Sequence, residues 1–211
     1  MLDDPVAYLD NACVTLKPQS VIDSIQDYYI NTPGCGGRSV HRYGTHVSKS
    51  ISQSRKKLAN FFSAPSVNEI VFTRNATHSL NQIAKGLEWN KGDVVLTTDR
   101  EHNSNLVPWL QLEQEQGIDH RVVRSNQDNT FNLESFEEAC AEAGTKLKMV
   151  SMSHVGNLDG VETPVKEITK IAKDYGALVS IDGAQSAPHM SVDVQDLGID
   201  FYSFSIHKML G

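Results

Sequence analysis

The sequence predicts an α/β fold in which a largely parallel β-sheet is flanked by helices. Two observations support this prediction. Short segments rich in apolar and β-branched residues recur along the chain, and segments with the apolar spacing of helices lie between them. Because neighbouring parallel strands need a crossover of about a dozen residues or more, this alternation favours parallel pairing.

The order of these segments divides the chain into two parts. The predicted strands cover residues 69–73, 93–98, 120–124, 148–153, 177–182 and 200–205. The predicted helices between them begin at Thr77, Asn105, Phe131 and Thr163. The leading part instead contains two predicted helices, at residues 18–30 and 46–62, with a glycine-rich loop between them. We therefore expect an N-terminal helical and loop segment at residues 1–65 and an α/β domain at residues 66–211.

The composition excludes several classes of protein. With 211 residues and 39% hydrophobic content, the chain can bury a substantial core. Its formal charge of −7 and its scattered basic residues argue against nucleic acid as a partner. We find neither a signal peptide nor an apolar run that could span a bilayer, so we expect a cytoplasmic protein with no membrane partner. The 3 cysteines and 8 histidines show no metal-binding spacing, so no metal is expected.

Polar side chains follow several of the predicted strands. In an open α/β sheet, ligands bind at the carboxyl ends of the strands, so a functional site is expected there. Asn75 is a candidate N-cap, and the N–H groups of Ala76 and Thr77 would then form an anion site at the start of a helix. The other polar residues at or just after strand ends include His102, Asn157, Asp182, Gln185, Ser205, His207 and Lys208.

Six motifs along the chain resemble those of one enzyme family. They are YLDNA (8–12), FTRNAT (72–77), EHNSNLVPW (101–109), SHVGN (153–157), DGAQSAPH (182–189) and FSIHKMLG (204–211). Together and in this order they resemble class V aminotransferases, which use pyridoxal 5'-phosphate (PLP), and in particular the cysteine desulfurase and selenocysteine lyase branch. The resemblance spans nearly the whole chain and implies the large domain of an aspartate-aminotransferase-like enzyme of fold type I.

The resemblance implies catalytic and electronic roles for three residues. Lys208 matches the family's lysine that binds PLP covalently and moves a proton. Asp182 matches the carboxylate that keeps the pyridine nitrogen protonated. His102 matches the imidazole that stacks on the cofactor ring and assists proton transfer.

The remaining cofactor-binding residues are also implied by the resemblance. Gln185 and Asn157 match groups near the phenolic oxygen of PLP. The implied phosphate ligands are Ala76, Thr77, Ser205 and His207.

For the complete enzyme, the resemblance implies conversion of L-cysteine to L-alanine in a homodimer, with sulfur passing to an enzyme cysteine and then to a sulfur-acceptor protein. In the family, that cysteine and the arginine that holds the substrate carboxylate come well after the lysine. Family members are roughly twice as long as this chain, so we expect a truncated chain that lacks the C-terminal small domain. None of Cys13, Cys35 and Cys140 occupies the position of the nucleophile.

Other interpretations stay open. A single lysine or aspartate at a strand end is usually a solvated charge or a cap, and only the joint pattern favours catalysis. Ile206 stands where the family commonly has glycine, and His78 stands where an acidic residue is usual. The alternatives are another class V reaction, such as selenocysteine cleavage, epimerisation, kynurenine hydrolysis or transamination, and a truncated fragment without activity.

Overall fold

The computed structural model describes residues 6–211. The chain separates into two compact units, one formed by Met1–Val71 with Ile206–Gly211 and the other by Phe72–Ser205. The division into residues 1–65 and 66–211 stays a prediction. In the first unit the helices are α1 (Gln19–Asn31) and α2 (Arg42–Phe61). In the second unit the elements are α3 (Ala76–Gly86), β1 (Val94–Thr98), α4 (Asn103–Gln116), β2 (Asp119–Val123), α5 (Leu133–Ala143), β3 (Leu147–Ser153), α6 (Val165–Asp174), β4 (Leu178–Asp182), α7 (Val194–Leu197) and β5 (Phe201–Ser203).

The second unit is built on a five-stranded sheet with the order β2-β1-β3-β4-β5. Every pair of neighbouring strands is parallel. A helix stands between each pair of consecutive strands along the chain, as the crossover between parallel strands requires. The predicted parallel sheet flanked by helices is confirmed. β2 and β3 lie on opposite sides of β1 in the sheet, so the strand order reverses between β1 and β3.

The two faces of the sheet are covered by different helices. One face packs against α5 and α6 and forms the larger core. Its fully or nearly fully buried residues include Val94, Leu96, Phe136, Cys140, Val150, Met152, Ile168, Ala172, Val179 and Ile181. The other face packs against α3 and α4, where Ala84, Trp109 and Leu112 cover Val95 and Met149. Burial of both faces explains why β1 has apolar residues at three successive positions, Val94–Leu96, and is buried along its whole length.

The face that α3 and α4 cover becomes polar toward the carboxyl ends of the strands. Leu178 of β4 packs with the apolar cluster on that face, and the next two residues of β4 with the same orientation are Ser180 and Asp182. Ser153, Asp182 and Ser203 lie side by side in register on β3, β4 and β5. The sheet thus presents a row of polar side chains at one edge of an otherwise apolar face.

One predicted strand is wrong. Residues 69–73 form no strand: a 3₁₀ turn covers Val67–Glu69, and backbone without regular secondary structure follows. A strand needs a neighbouring strand, and the five-stranded sheet found within residues 6–211 does not include this segment. The carbonyl of Ile70 instead accepts a hydrogen bond from the Arg55 guanidinium, and Val71 and Phe72 are 69% and 43% exposed.

The first unit is helical and contains the last residues of the chain. His41 caps α2, because its Nδ1 accepts a hydrogen bond of 3.3 Å from the N–H of Gly44. The segment Ile206–Lys208 forms a 3₁₀ turn. Its His207 carbonyl accepts hydrogen bonds from the backbone N–H of Thr15 at 3.0 Å and from Lys17 Nζ at 2.9 Å. Across the described residues 6–211, none of the helices combines the length and the apolar character that a bilayer crossing requires.

Replacing Phe136 tests the larger core. Phe136 is fully buried between α5 and the sheet, and its ring centroid lies 5.7 Å from that of Phe131. We expect Phe136→Ala to lower the free energy of unfolding by about 3–5 kcal/mol, because it removes the transfer energy of the ring and leaves a cavity. Urea denaturation measures this change. Leu158→Ala is the control, since Leu158 is 90% exposed, and its effect should stay within about 0.5 kcal/mol; equal effects of the two variants would contradict the assigned core.

Candidate functional site

The start of α3 offers backbone N–H groups at the carboxyl edge of the sheet. Asn75 is the N-cap, as predicted, and its side chain accepts a hydrogen bond of 2.9 Å from the N–H of His78. The N–H of Ala76 donates to Ser205 Oγ at 2.9 Å, which ties α3 to the residues after β5. The N–H of Thr77 has no hydrogen-bond partner within residues 6–211. This N–H and the positive end of the helix dipole favour an anion.

A second helix begins beside the first. His102 is the N-cap of α4, and its Nδ1 accepts a hydrogen bond of 3.1 Å from the N–H of Ser104. Ser104 Oγ lies 2.7 Å from Thr77 Oγ1 and 2.9 Å from the same histidine nitrogen. A backbone N–H can only donate, so Nδ1 is an acceptor and the neutral ring carries its proton on Nε2. The structure therefore brings together the predicted site residues Thr77 and His102 through Ser104.

Asp182 ends β4 at the same edge. The residue is 5% exposed, and its Oδ1 accepts a hydrogen bond of 3.0 Å from the N–H of Ala184. Gly183 follows because a side chain at this position would run into the Tyr202 ring. Asp182 lies on the sheet face that α3 and α4 cover, in register with Ser153 and Ser203. A buried carboxylate thus stands on the same face and at the same edge as two helix N-termini.

The other predicted residues differ in their surroundings. Gln185 is buried in the turn after β4, three residues after Asp182. Asn157 is exposed in the turn after β3, and its side chain makes no hydrogen bond within residues 6–211. His207 and Lys208 belong to the other compact unit. There, partial burial lowers the pKa of His207, and the nearby charges of Lys208 and Lys17 lower it further. Whether Lys208 and Asp182 meet the same ligand stays a prediction.

Sequence reasoning assigned no role to Glu101, which the structure shows to be a centre of hydrogen bonds. Its carboxylate accepts hydrogen bonds from Thr98, Asn105 and Ser153. The available signal was an acidic residue placed between an apolar strand and the start of a helix. That signal alone could not identify Ser153, which lies 52 positions later in the chain.

The described cysteines do not supply a reactive pair. Cys140 is buried in α5, and burial raises the pKa of its thiol to about 12, so it is a poor nucleophile. Cys13 and Cys35 are exposed and unpaired to any other cysteine. Within residues 6–211, no group of three or more side chains suited to a metal ion is found.

Comparison with known proteins identifies the family. The family model described as "Aminotransferase class-V" matches residues 7–211. The chain belongs to the class V aminotransferase family. Two curated members of the family resemble it over 98% of its length: a probable cysteine desulfurase of Halalkalibacterium halodurans, at 40% identity, and one of Pyrococcus abyssi, at 38% identity.

Solved structures of family members show the same fold. The cysteine desulfurase of Thermococcus onnurineus superposes with a TM-score of 0.91 at 37% identity, covering 98% of this chain and 51% of the solved chain. The cysteine desulfurase CsdA of Escherichia coli superposes with a TM-score of 0.85 at 30% identity, covering 97% of this chain and 51% of the solved chain. This chain also spans 51% of each of the two curated relatives named above. The chain therefore spans about half the length of the class V proteins that it matches.

The second unit contains a buried histidine, His154. His154 follows β3, is 4% exposed, and packs its ring edge-on against Tyr202 at a centroid distance of 6.4 Å. Its Nδ1 has no hydrogen-bond partner within residues 6–211. Burial lowers the pKa of His154, whereas the carboxylate of Glu162, 4.0 Å from Nε2, acts in the opposite direction.

We therefore expect His154 to destabilise the fold in acid. Because its pKa is lower in the folded than in the unfolded state, the stability of the neutral form is fully present above the unfolded pKa of about 6.5 and is lost as the pH falls through the folded value. Urea denaturation at about pH 7.5 and about pH 5.5 should show this loss, and His154→Phe should reduce it. The control is His189→Phe, because His189 is exposed, and this variant should keep the pH dependence of the wild type. An unchanged pH dependence in His154→Phe would contradict the assignment.

Proposed function

We propose that this chain is the cofactor-binding part of a PLP-dependent cysteine desulfurase, which converts L-cysteine to L-alanine and transfers the sulfur to an enzyme cysteine. The observation that carries the proposal is the buried Asp182 carboxylate at the sheet edge where α3 and α4 both begin. The names of the relatives support the choice of substrate, since those named above are cysteine desulfurases or probable cysteine desulfurases.

The groups at this edge fit PLP chemically. A phosphate needs donors and positive potential, which the unpartnered N–H of Thr77 and the dipole of α3 offer. Ser205 Oγ already accepts a hydrogen bond from Ala76, so its own O–H is available to donate to a phosphate oxygen. A protonated pyridine nitrogen needs a carboxylate, and Asp182 is buried, where such a pair is strongest.

Each residue would have a distinct task. When bound, PLP supplies an electron sink for charge that develops at the substrate Cα. Asp182 would hold a proton on the pyridine nitrogen, and His102, with its proton on Nε2, would contact the ring. Lys208 would bind the cofactor covalently and move the proton at Cα. Gln185 and Asn157 would bind near the phenolic oxygen, and Ala76, Thr77, Ser205 and His207 would bind the phosphate.

The partners and the cellular setting are part of the proposal. The family resemblance supports a homodimer, a separate sulfur-acceptor protein and a cytoplasmic role in iron–sulfur cluster assembly. The resemblance also places the sulfur-accepting cysteine after Lys208. The raised thiol pKa of Cys140 is consistent with this placement, because a thiol with a pKa of about 12 is almost entirely protonated at neutral pH.

Replacing Lys208 tests the covalent site. Addition of PLP to the complete protein should produce a visible absorbance band and an adduct that borohydride fixes on Lys208, as peptide mass spectrometry can show. Lys208→Ala should abolish the fixed adduct because no other amine is proposed to reach the cofactor. Lys166→Ala is the control, since Lys166 is largely exposed and pairs with Asp196. A borohydride-fixed adduct on a different lysine would reject the assignment.

Replacing Asp182 tests the electron sink. Asp182→Asn keeps the shape of the side chain but removes the charge that holds the ring proton, so alanine formation from cysteine should slow by about 10- to 100-fold. The measurement is the steady-state rate at saturating PLP and cysteine. Asp196→Asn, a change on the exposed surface of α7, should leave the rate unchanged. A full rate in Asp182→Asn would remove this residue from the proposed site.

A further inference from the structure

Glu101 stands between the end of β1 and the start of α4 and joins three elements. Its Oε1 accepts hydrogen bonds from Thr98 Oγ1 at 2.6 Å and from the N–H of Ser153 at 3.1 Å. Its Oε2 accepts hydrogen bonds from Ser153 Oγ at 2.8 Å and from Asn105 Nδ2 at 2.7 Å. One carboxylate therefore binds the end of β1, the end of β3 and the first turn of α4.

This carboxylate is fixed mainly by neutral donors. Burial raises the pKa of Glu101 above its ordinary value, and the four hydrogen bonds from Thr98, Asn105 and Ser153 offset this shift only in part. None of the ion pairs within residues 6–211 includes Glu101. The positive end of the α4 dipole lies next to it in the chain and favours the negative charge. An ionised Glu101 satisfies every donor that points at it, whereas a proton on either oxygen would displace at least one of them.

A second buried hydrogen bond continues the contact. Asn105, which donates to Glu101, accepts a hydrogen bond of 2.6 Å at Oδ1 from Ser151 Oγ. Asn105 and Ser151 are both fully buried. The start of α4 is thus attached to β3 at two successive positions that share one face of the strand, Ser151 and Ser153. These attachments lie between β1 and β3, where the strand order reverses.

The next residue in the chain is His102. Its carbonyl accepts hydrogen bonds from the N–H groups of Asn105 at 2.8 Å and Leu106 at 3.2 Å, so its backbone belongs to the first turn of α4. We propose that Glu101 is a positioning residue: by anchoring α4 to β3 it fixes the His102 backbone and, through the cap at Ser104, the direction of the imidazole. The consequence for PLP rests on the proposed function, whereas the anchoring itself does not.

The experiment reads His102 directly, without the cofactor. The complete protein is labelled with ¹⁵N-histidine, and the His102 ring signals are assigned by their loss in His102→Gln. The wild type should show the single neutral tautomer with the proton on Nε2. Glu101→Gln replaces one acceptor oxygen with a donor, so the anchor loosens and the His102 signals should move toward the average of two tautomers. Glu101→Asp keeps the charge at shorter reach and should give an intermediate spectrum.

A cofactor titration supplies the second measurement. If His102 contacts PLP, Glu101→Gln should weaken PLP binding by about tenfold, the effect of losing one hydrogen bond to a charged group. Phe136→Leu, a core change on the opposite face of the sheet, controls for simple destabilisation and should leave the His102 signals in place. Glu115→Gln, on the exposed side of α4, controls for loss of charge.

The outcomes separate the two proposals. His102 signals that are identical in Glu101→Gln and the wild type, or that move equally in Phe136→Leu, would overturn the positioning role. If the signals move only in the Glu101 variants but the wild-type protein binds no PLP, the positioning role stands and the proposed function fails.

Discussion

The in-register pairing of parallel strands is the constraint on which the site depends. It makes β3, β4 and β5 end at one edge and sets Ser153, Asp182 and Ser203 side by side on one face. Side chains alternate between faces, so a slip of one residue in β4 would exchange Asp182 with Ile181 and place a carboxylate in the apolar core under α5 and α6. That cost fixes the register. The same parallel topology makes α3 and α4 begin at the polar edge. A helix that connects to a parallel strand runs back along the sheet, so α4 begins where β1 ends, and α3 must end near the start of β1.

The two faces of the sheet differ in polarity, and this difference explains how the sheet can have polar side chains at one edge. The face under α5 and α6 buries a continuous apolar cluster and supplies most of the hydrophobic stabilisation. The other face can therefore carry polar side chains, provided that they are paired. Ser151, Asn105 and Glu101 meet that condition in a connected set of hydrogen bonds. Two polar atoms on this face are buried without a partner within residues 6–211: Ser180 Oγ, two residues before Asp182 on β4, and Trp109 Nε1 of α4.

Most of the fold could be predicted from the sequence because it depends on local pattern. The apolar segments and the helices between them gave the parallel sheet, and Asn75 was correctly expected to cap α3. The segment at residues 69–73 has the same apolar pattern but forms no strand. A strand forms only when two segments pair, and the apolar pattern of one segment cannot show whether a second segment is available to pair with it. The final predicted strand was too long for a related reason: Ser205 leaves the sheet to accept a hydrogen bond from Ala76.

For the site residues too, the features that depend on local sequence could be predicted, and those that depend on distant parts of the chain could not. The positions of Asp182, His102 and Thr77 at the carboxyl edge of the sheet could be predicted, because each follows a strand or opens a helix, which is a local signal. Glu101 could not be assigned a role, because its partner Ser153 lies on a strand formed much later in the chain. Replacing Glu101 with any apolar residue would leave the N–H of Ser153 and the side-chain amide of Asn105 buried without that hydrogen-bond partner. His102, which is proposed to contact the ligand, is therefore positioned by Glu101, which would not contact it. The geometry of the sheet edge thus depends on the buried hydrogen bonds of Glu101.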